Sequence, residues 1–310
     1  MTVLLLATGG TIASRLQPGG GVAVALTGAE LLESVSAVYT SDVETLDITH
    51  GPSWNFDIET MTDVATQARD ALVSGRASGV VVTHGTDTVE ETLWLTDLLA
   101  SRATERGPIV FTASMKNAGE PDGDGPSNLR DALALAHSTE AVGRGALLCV
   151  NGEIHEARWV TKTDSQRVDT FQSFGAHPFT RPPTTGSVES EVAVIRSYGG
   201  IDGEIVDWHL SRGAHGLVIE GTGAGNVAGA LLPGIERAIA SEVPVVVSTR
   251  CLTGEVGPIY GGPGGGHTLA RMGVIGAHEL NASKARIALA VALGNDPSMD
   301  AVRAWFEVLA

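Results

Sequence analysis

The chain has 310 residues, of which 43 % are hydrophobic and 18 % charged, so a sizeable core is available and wholesale disorder is excluded. Its 20 basic residues stand against 36 acidic ones, a net charge of −16 that speaks against nucleic acid or an anionic membrane as a partner. Two cysteines, Cys149 and Cys251, rule out a disulfide framework or a Cys-rich zinc site; both adjoin apolar runs and read as buried hydrophobes.

Val3–Ala7 reads as a buried strand. It lacks the basic start and the length of a secretory signal, and no run approaches the roughly 20 apolar residues of a membrane span. The chain is thus expected to be cytoplasmic, or the mature form of an exported protein. Thr27 and Glu30 have capping-box spacing and open a helix with Leu31, Leu32, Val35 and Val38 inward. Asp57 opens another, with Ile58, Met61, Val64, Ala65, Ala68 and Leu72 on one face. Gly79–Thr83 is a strand, and Asp87 or Thr88 can cap the helix behind it. Pro108–Ala113 is a strand, Asn128–Ser138 a helix and Gly145–Val150 a strand. Strands apolar on both faces and separated by helices predict an α/β fold with a mostly parallel sheet flanked by helices.

The alternation lapses over residues 177–190, where prolines, threonines and glycine gather. This stretch reads as a linker between an N-terminal catalytic domain, residues 1–176, and a smaller C-terminal α/β domain, residues 191–310. There, Val192–Ile195, Gly216–Ile219 and Pro244–Ser248 read as strands. A helix is expected over about Asn226–Ala240, with two more at the end.

Ligands of open parallel sheets bind beyond the carboxyl ends of the strands. The first strand is followed by Thr8-Gly9-Gly10-Thr11, two glycines that admit close backbone approach, flanked by two hydroxyls, either able to act as a nucleophile. Thr83-His84-Gly85-Thr86-Asp87-Thr88 puts a hydroxyl and a carboxylate at a helix start. Lys162, in Thr161-Lys162-Thr163, offers a base if its proton is made easier to lose. Taken singly, these read as a turn, a cap and a surface lysine; their shared position at one sheet rim joins them. Gly221-Thr222-Gly223-Ala224-Gly225 misplaces the last glycine of a dinucleotide fingerprint and reads as a strand-to-helix turn. The scattered histidines carry no metal motif, so no metal is expected.

Ala7-Thr8-Gly9-Gly10-Thr11-Ile12-Ala13 and Thr83-His84-Gly85-Thr86-Asp87-Thr88 resemble the two signature motifs of the bacterial-type L-asparaginase family, which includes glutaminase-asparaginases. The likeness continues through Asp124-Gly125-Pro126-Ser127-Asn128 and Val160-Thr161-Lys162-Thr163 to Lys284-Ala285-Arg286, nearly the whole chain. The resemblance implies cofactor-independent hydrolysis of the side-chain amide of asparagine, with Thr11 as the nucleophile that forms an acyl-enzyme. Thr86, Asp87 and Lys162 would form a second polar cluster: Lys162 polarises the Thr86 hydroxyl and Asp87 binds the α-amino group. Ser53 would hold the α-carboxylate, with Gly10, Gly85 and Ser114 among the residues around the substrate. The Gly9-Gly10 and Gly85-Thr86 backbones offer donors for an oxyanion. Glutamine, another amide, or amino-acid binding without turnover are the alternatives.

Two departures from the family pattern stand out. The segment Ser14–Leu26, expected to be a mobile lid over the substrate, contains no tyrosine, so Tyr260 or another group must orient Thr11. The family also completes the α-amino site with a glutamate from a neighbouring subunit; here Glu255 or Tyr260 fills that role, which implies a homodimer or homotetramer.

Overall fold

The computed structural model describes residues 2–35 and 42–310, and the chain divides into two compact units, Met1–Ala176 and His177–Ala310. The first unit runs β1 (Val3–Gly9), β2 (Ser14–Leu16), β3 (Val22–Val24), α1 (Gly28–Glu33), β4 (Val43–Gly51), α2 (Ile58–Val73), β5 (Gly79–Thr83), α3 (Val89–Ala100), β6 (Ile109–Thr112), α4 (Gly125–Ala136), β7 (Ala146–Val150), β8 (Glu153–Glu156), β9 (Val160–Lys162) and β10 (Phe171–Ser173). Its main sheet has the order β4-β1-β5-β6-β7-β8, parallel throughout except for β8 against β7. β1, β5, β6 and β7 are buried along their whole length, which is why their sequences are unbroken apolar runs. β4, at the edge, has no fully buried residue and mixes half-buried with exposed ones.

The chain leaves β1 for β4 on one side and returns to β5 on the other. The connections therefore part at the carboxyl ends of β1 and β5, where a crevice is expected. Threonine hydroxyls lash the strand ends there: Thr8 Oγ1 donates to the Thr83 carbonyl at 2.8 Å and Thr112 Oγ1 to the Cys149 carbonyl at 2.8 Å.

The Thr27–Glu30 capping box forms, and Asp57 caps α2 by accepting the Thr60 N–H at 2.8 Å. α1 ends at Glu33, with Leu31 and Val35 buried and Leu32 partly so; Val38 lies outside the described residues. α4 starts three residues ahead of the expected Asn128, because Pro126 fits a first turn that has no use for its missing N–H.

The second unit holds β11 (Val192–Arg196), α5 (Glu204–Ser211), β12 (Gly216–Gly221), α6 (Leu232–Ala240), β13 (Val245–Thr249), α7 (Gly266–Met272), β14 (Ile275–Gly276), α8 (Ala282–Asn295) and α9 (Met299–Val308), with a parallel sheet in the order β11-β12-β13-β14. The helix expected from Asn226 starts only at Leu232. Asn226 is held in a turn by reciprocal backbone bonds with Thr222, at 2.8 and 2.9 Å, and its Oδ1 accepts the Gly266 N–H at 3.2 Å. Residues 177–190 lie in this unit, where the Glu189 N–H donates to the Ala290 carbonyl and the Thr185 N–H to Asn295 Oδ1.

The cysteines part company. Cys149 is buried in β7, and burial, with Asp131 nearby, pushes its thiol up to about 11. Cys251 is exposed, contrary to expectation: β13 ends at Thr249, and the chain beyond it runs in an exposed loop. Among the described residues no helix is long and apolar enough to cross a membrane, and no group of three or more His, Cys, Asp or Glu side chains is placed to hold a metal ion.

Candidate active site

A cavity of about 490 Å³ opens at the carboxyl ends of β1, β4 and β5 and is lined by residues of the first unit. Gly10, Thr11, Ser53, Gly85, Thr86 and Asp87 all face it. The two signature loops meet there backbone to backbone. Gly10 has a φ of 80°, in the region that disfavours side chains, and a Cβ on it would lie 2.4 Å from the Gly85 nitrogen. Gly85 is equally confined on its far side, where a Cβ would come within 2.6 Å of Ser53 Oγ.

The structure separates the two hydroxyls of the first loop. Thr8 is buried, with its hydroxyl spent on the Thr83 carbonyl, whereas Thr11 is half-buried at the cavity wall and its hydroxyl makes no hydrogen bond. The Gly10 amide, expected as an oxyanion donor, instead donates to the Gly51 carbonyl at 3.3 Å; the Gly85 and Thr86 amides make no hydrogen bond.

In the second loop neither expected cap is a cap. Thr88 stands at the N-cap position of α3 but makes no capping bond; its hydroxyl donates to the Ser53 carbonyl at 2.7 Å. Asp87 accepts from Lys162 instead. Lys162 Nζ, at the end of β9, donates to Thr86 Oγ1 at 2.8 Å and to Asp87 Oδ1 at 2.7 Å. Lys162 stands behind these two residues and does not itself line the cavity. An ammonium donating to a hydroxyl oxygen makes that hydroxyl a stronger donor. It also fixes one carboxylate oxygen of Asp87 while leaving Oδ2 open.

His84 is fully buried beside this cluster, and burial pushes its imidazole down to about 4. The ring is therefore neutral at pH 7. Because the Gly85 carbonyl can only accept, Nδ1–H donates to it, at 2.8 Å, and Nε2 accepts from the Thr92 hydroxyl at 2.9 Å. The unfolded chain takes up this proton near 6.5 and the folded chain only near 4. The stability this ring contributes is therefore full above pH 6.5 and declines as the pH falls towards 4. NMR of isotope-labelled histidine is expected to show one imidazole, lost in His84→Gln, that stays neutral down to pH 5. A resonance titrating near 6.5 would contradict the buried neutral ring.

Ser114 is buried, donates its hydroxyl to the Lys116 carbonyl at 2.7 Å, and is not among the lining residues. Its neighbour Met115 is: Asp124 holds that loop by accepting the Met115 and Lys116 amides at 3.0 and 2.9 Å. Glu255 and Tyr260 belong to the second unit, where both are exposed. The sequence reading missed His50, Trp54, Met115, Asn117 and Glu120 along the wall, and also the hairpin. Ser14–Leu26, expected to be a lid, folds as the antiparallel pair β2–β3 and brings Val22, Ala23 and Val24 to the cavity. The short apolar run Val22-Ala23-Val24-Ala25 was the available signal for it.

The fold and cavity define a two-domain α/β class whose family models match the chain end to end: "Asparaginase, N-terminal" over residues 2–193 and "Glutaminase/Asparaginase C-terminal domain" over residues 191–306. A probable L-asparaginase of Deinococcus radiodurans is 38 % identical over 97 % of this chain and 96 % of its own length. Solved structures agree at 26 % identity. A probable cytoplasmic L-asparaginase from Campylobacter jejuni has a TM-score of 0.83 over 99 % of both chains. The thermostable L-asparaginase from Thermococcus kodakarensis has a TM-score of 0.84 over 99 % of this chain and 97 % of the other. The chain belongs to the asparaginase family.

Proposed function

We propose that this protein hydrolyses L-asparagine to L-aspartate and ammonia through a threonine acyl-enzyme. The observation that carries the reading is Lys162 bonded at once to Thr86 and Asp87, on a cavity where Thr11 keeps a free hydroxyl. Binding alone has no need of that lysine.

In this reading the Thr11 oxygen attacks the side-chain amide carbon, and the free amides of Gly85 and Thr86 are the donors available to the oxyanion. The C–N bond breaks, ammonia leaves with the Thr11 proton, and an ester to Thr11 remains. Water then cleaves the ester, giving aspartate and restoring the hydroxyl. Thr86, polarised by Lys162, hands protons to and from the reacting groups. Asp87 Oδ2 receives the substrate ammonium and the Ser53 hydroxyl the α-carboxylate. The hairpin β2–β3 serves as the lid, without a tyrosine.

We also propose a cytoplasmic enzyme that assembles as a homodimer or homotetramer, with Glu255 or Tyr260 of a neighbouring copy completing the ammonium site. The exposure of both residues and the resemblance of the chain to its family support this.

Ammonia release assayed with asparagine, with glutamine and with buffer alone tests the reading. Release from asparagine is expected, from a species sedimenting at twice the chain mass or more. Release from glutamine only would change the substrate, and release from neither would leave an amino-acid-binding protein.

A further inference from the structure

Thr88 occupies a position where the sequence calls for a cap and does something else. A Thr at an N-cap ordinarily accepts a backbone N–H of the first turn. α3 begins without it. The Thr88 hydroxyl instead reaches the carbonyl of Ser53, 35 residues away in sequence, at 2.7 Å. That carbonyl also accepts the Phe56 N–H at 3.1 Å, so it closes the turn Ser53–Asn55 and anchors it at the same time.

Two further contacts join the same turn to the second signature loop. Ser53 lies so close to Gly85 that no side chain fits between them. The Phe56 ring meets the His84 ring edge-on, with centroids 5.0 Å apart. Of the three, only the Thr88 bond is a hydrogen bond, and together with the Phe56 N–H within the turn it holds the Ser53 carbonyl in place. Ser53 lines the cavity while only 2 % exposed, packed against Gly85, so its side chain has little room to seek another position.

We infer that Thr88 is a positioning residue for the substrate carboxylate: by holding the Ser53 carbonyl it aims the Ser53 hydroxyl into the cavity. The inference rests on the proposed asparaginase reading for its substrate. Binding through Ser53 holds substrate and transition state alike, so its loss raises KM and leaves kcat in place.

The test uses the full-length protein and the substitutions Thr88→Val, which keeps the shape and removes the hydroxyl, and Thr88→Ser, which keeps the hydroxyl. With Thr88→Val, the KM for asparagine and the Kd for aspartate are expected to rise about five- to tenfold, as for the loss of one well-made hydrogen bond. kcat should stay within about twofold, and Thr88→Ser should restore both constants. Hydrogen exchange at the Phe56 amide should quicken in Thr88→Val and not in Thr88→Ser. That measurement needs no turnover, so it separates the two ideas. If wild-type protein releases no ammonia from asparagine, the substrate reading fails while the exchange result still judges the bond. Unchanged KM, Kd and exchange in Thr88→Val would overturn the inference. So would a fall in kcat with KM unmoved, which would place Thr88 in the chemistry.

Discussion

Thr11→Ala is expected to lower kcat for asparagine by roughly 10⁴-fold, the scale on which covalent nucleophiles fail when removed. Folding should barely notice. The Thr11 side chain is half-buried and its hydroxyl has no hydrogen-bond partner, so its loss strands no buried group. The loop conformation is set on either side of it, by Gly9 and Gly10 before and by buried Ile12 after. Aspartate should still bind, because the proposed grips on its ends, Ser53 and Asp87, are untouched. Mass spectrometry of wild-type protein quenched during turnover should show an adduct on the Thr11 peptide that the variant lacks. More than a few per cent of wild-type ammonia release in Thr11→Ala would remove Thr11 from the nucleophile's role.

Lys162→Met comes next, with an expected loss of roughly 10²- to 10³-fold in kcat, the range for a group that assists proton transfer. Met keeps the stem and discards only the ammonium. Thr86 then loses the donor that polarises it, and Asp87 loses the donor that holds its Oδ1. Lys162→Arg is not expected to rescue activity, because one Nζ serves two acceptors 2.8 and 2.7 Å away and a planar fork cannot take its place. The effect on stability should be small, since Asp87 is half-exposed and water can replace its partner. Wild-type kinetics in Lys162→Met would make the lysine an ordinary structural residue.

The doubly covered strands were legible because burial on both faces forces an unbroken apolar run. β4 was not: as an edge strand that is nowhere fully buried, Val43-Glu44-Thr45-Leu46-Asp47 is mostly polar and carries little apolar signal. The small hairpin β2–β3 was hidden for another reason: its strands are three residues each, and its turn is a run of glycines with no atom within 4 Å of where their Cβ atoms would be. The start of α6 was misplaced because a strand-to-helix turn and a strand-to-turn both open with glycine; the bonds between Thr222 and Asn226 that decide the matter are backbone bonds.

At the site, the rim position of Thr11, Thr86 and Asp87 followed from strand ends alone. What the sequence could not carry was the choice each polar group makes among partners. Thr8 and Thr11 are alike on paper, and only the proximity of the Thr83 carbonyl commits one of them. Asp87 and Thr88 both have cap chemistry, and both are drawn off by partners far away in sequence. Trp54, Met115 and Glu120 carry no motif; the wall they form exists only once two loops, after β4 and after β6, have met.

The contact of Gly10 with Gly85 has a consequence for how such an enzyme can change over time. Where main chain touches main chain, there is no side chain to vary: a methyl group added at Gly10 would strike the Gly85 backbone and drive the two loops apart, and one added at Gly85 would strike Ser53. The pair acts as a fixed gauge that sets the spacing of Thr11 and Thr86 whatever surrounds them. Variation is left to the periphery, to Val22 on the hairpin, Trp54 beyond Ser53 and Met115 after β6, none of which takes part in that gauge. A lineage can therefore rewrite these walls and keep the spacing of the two loops.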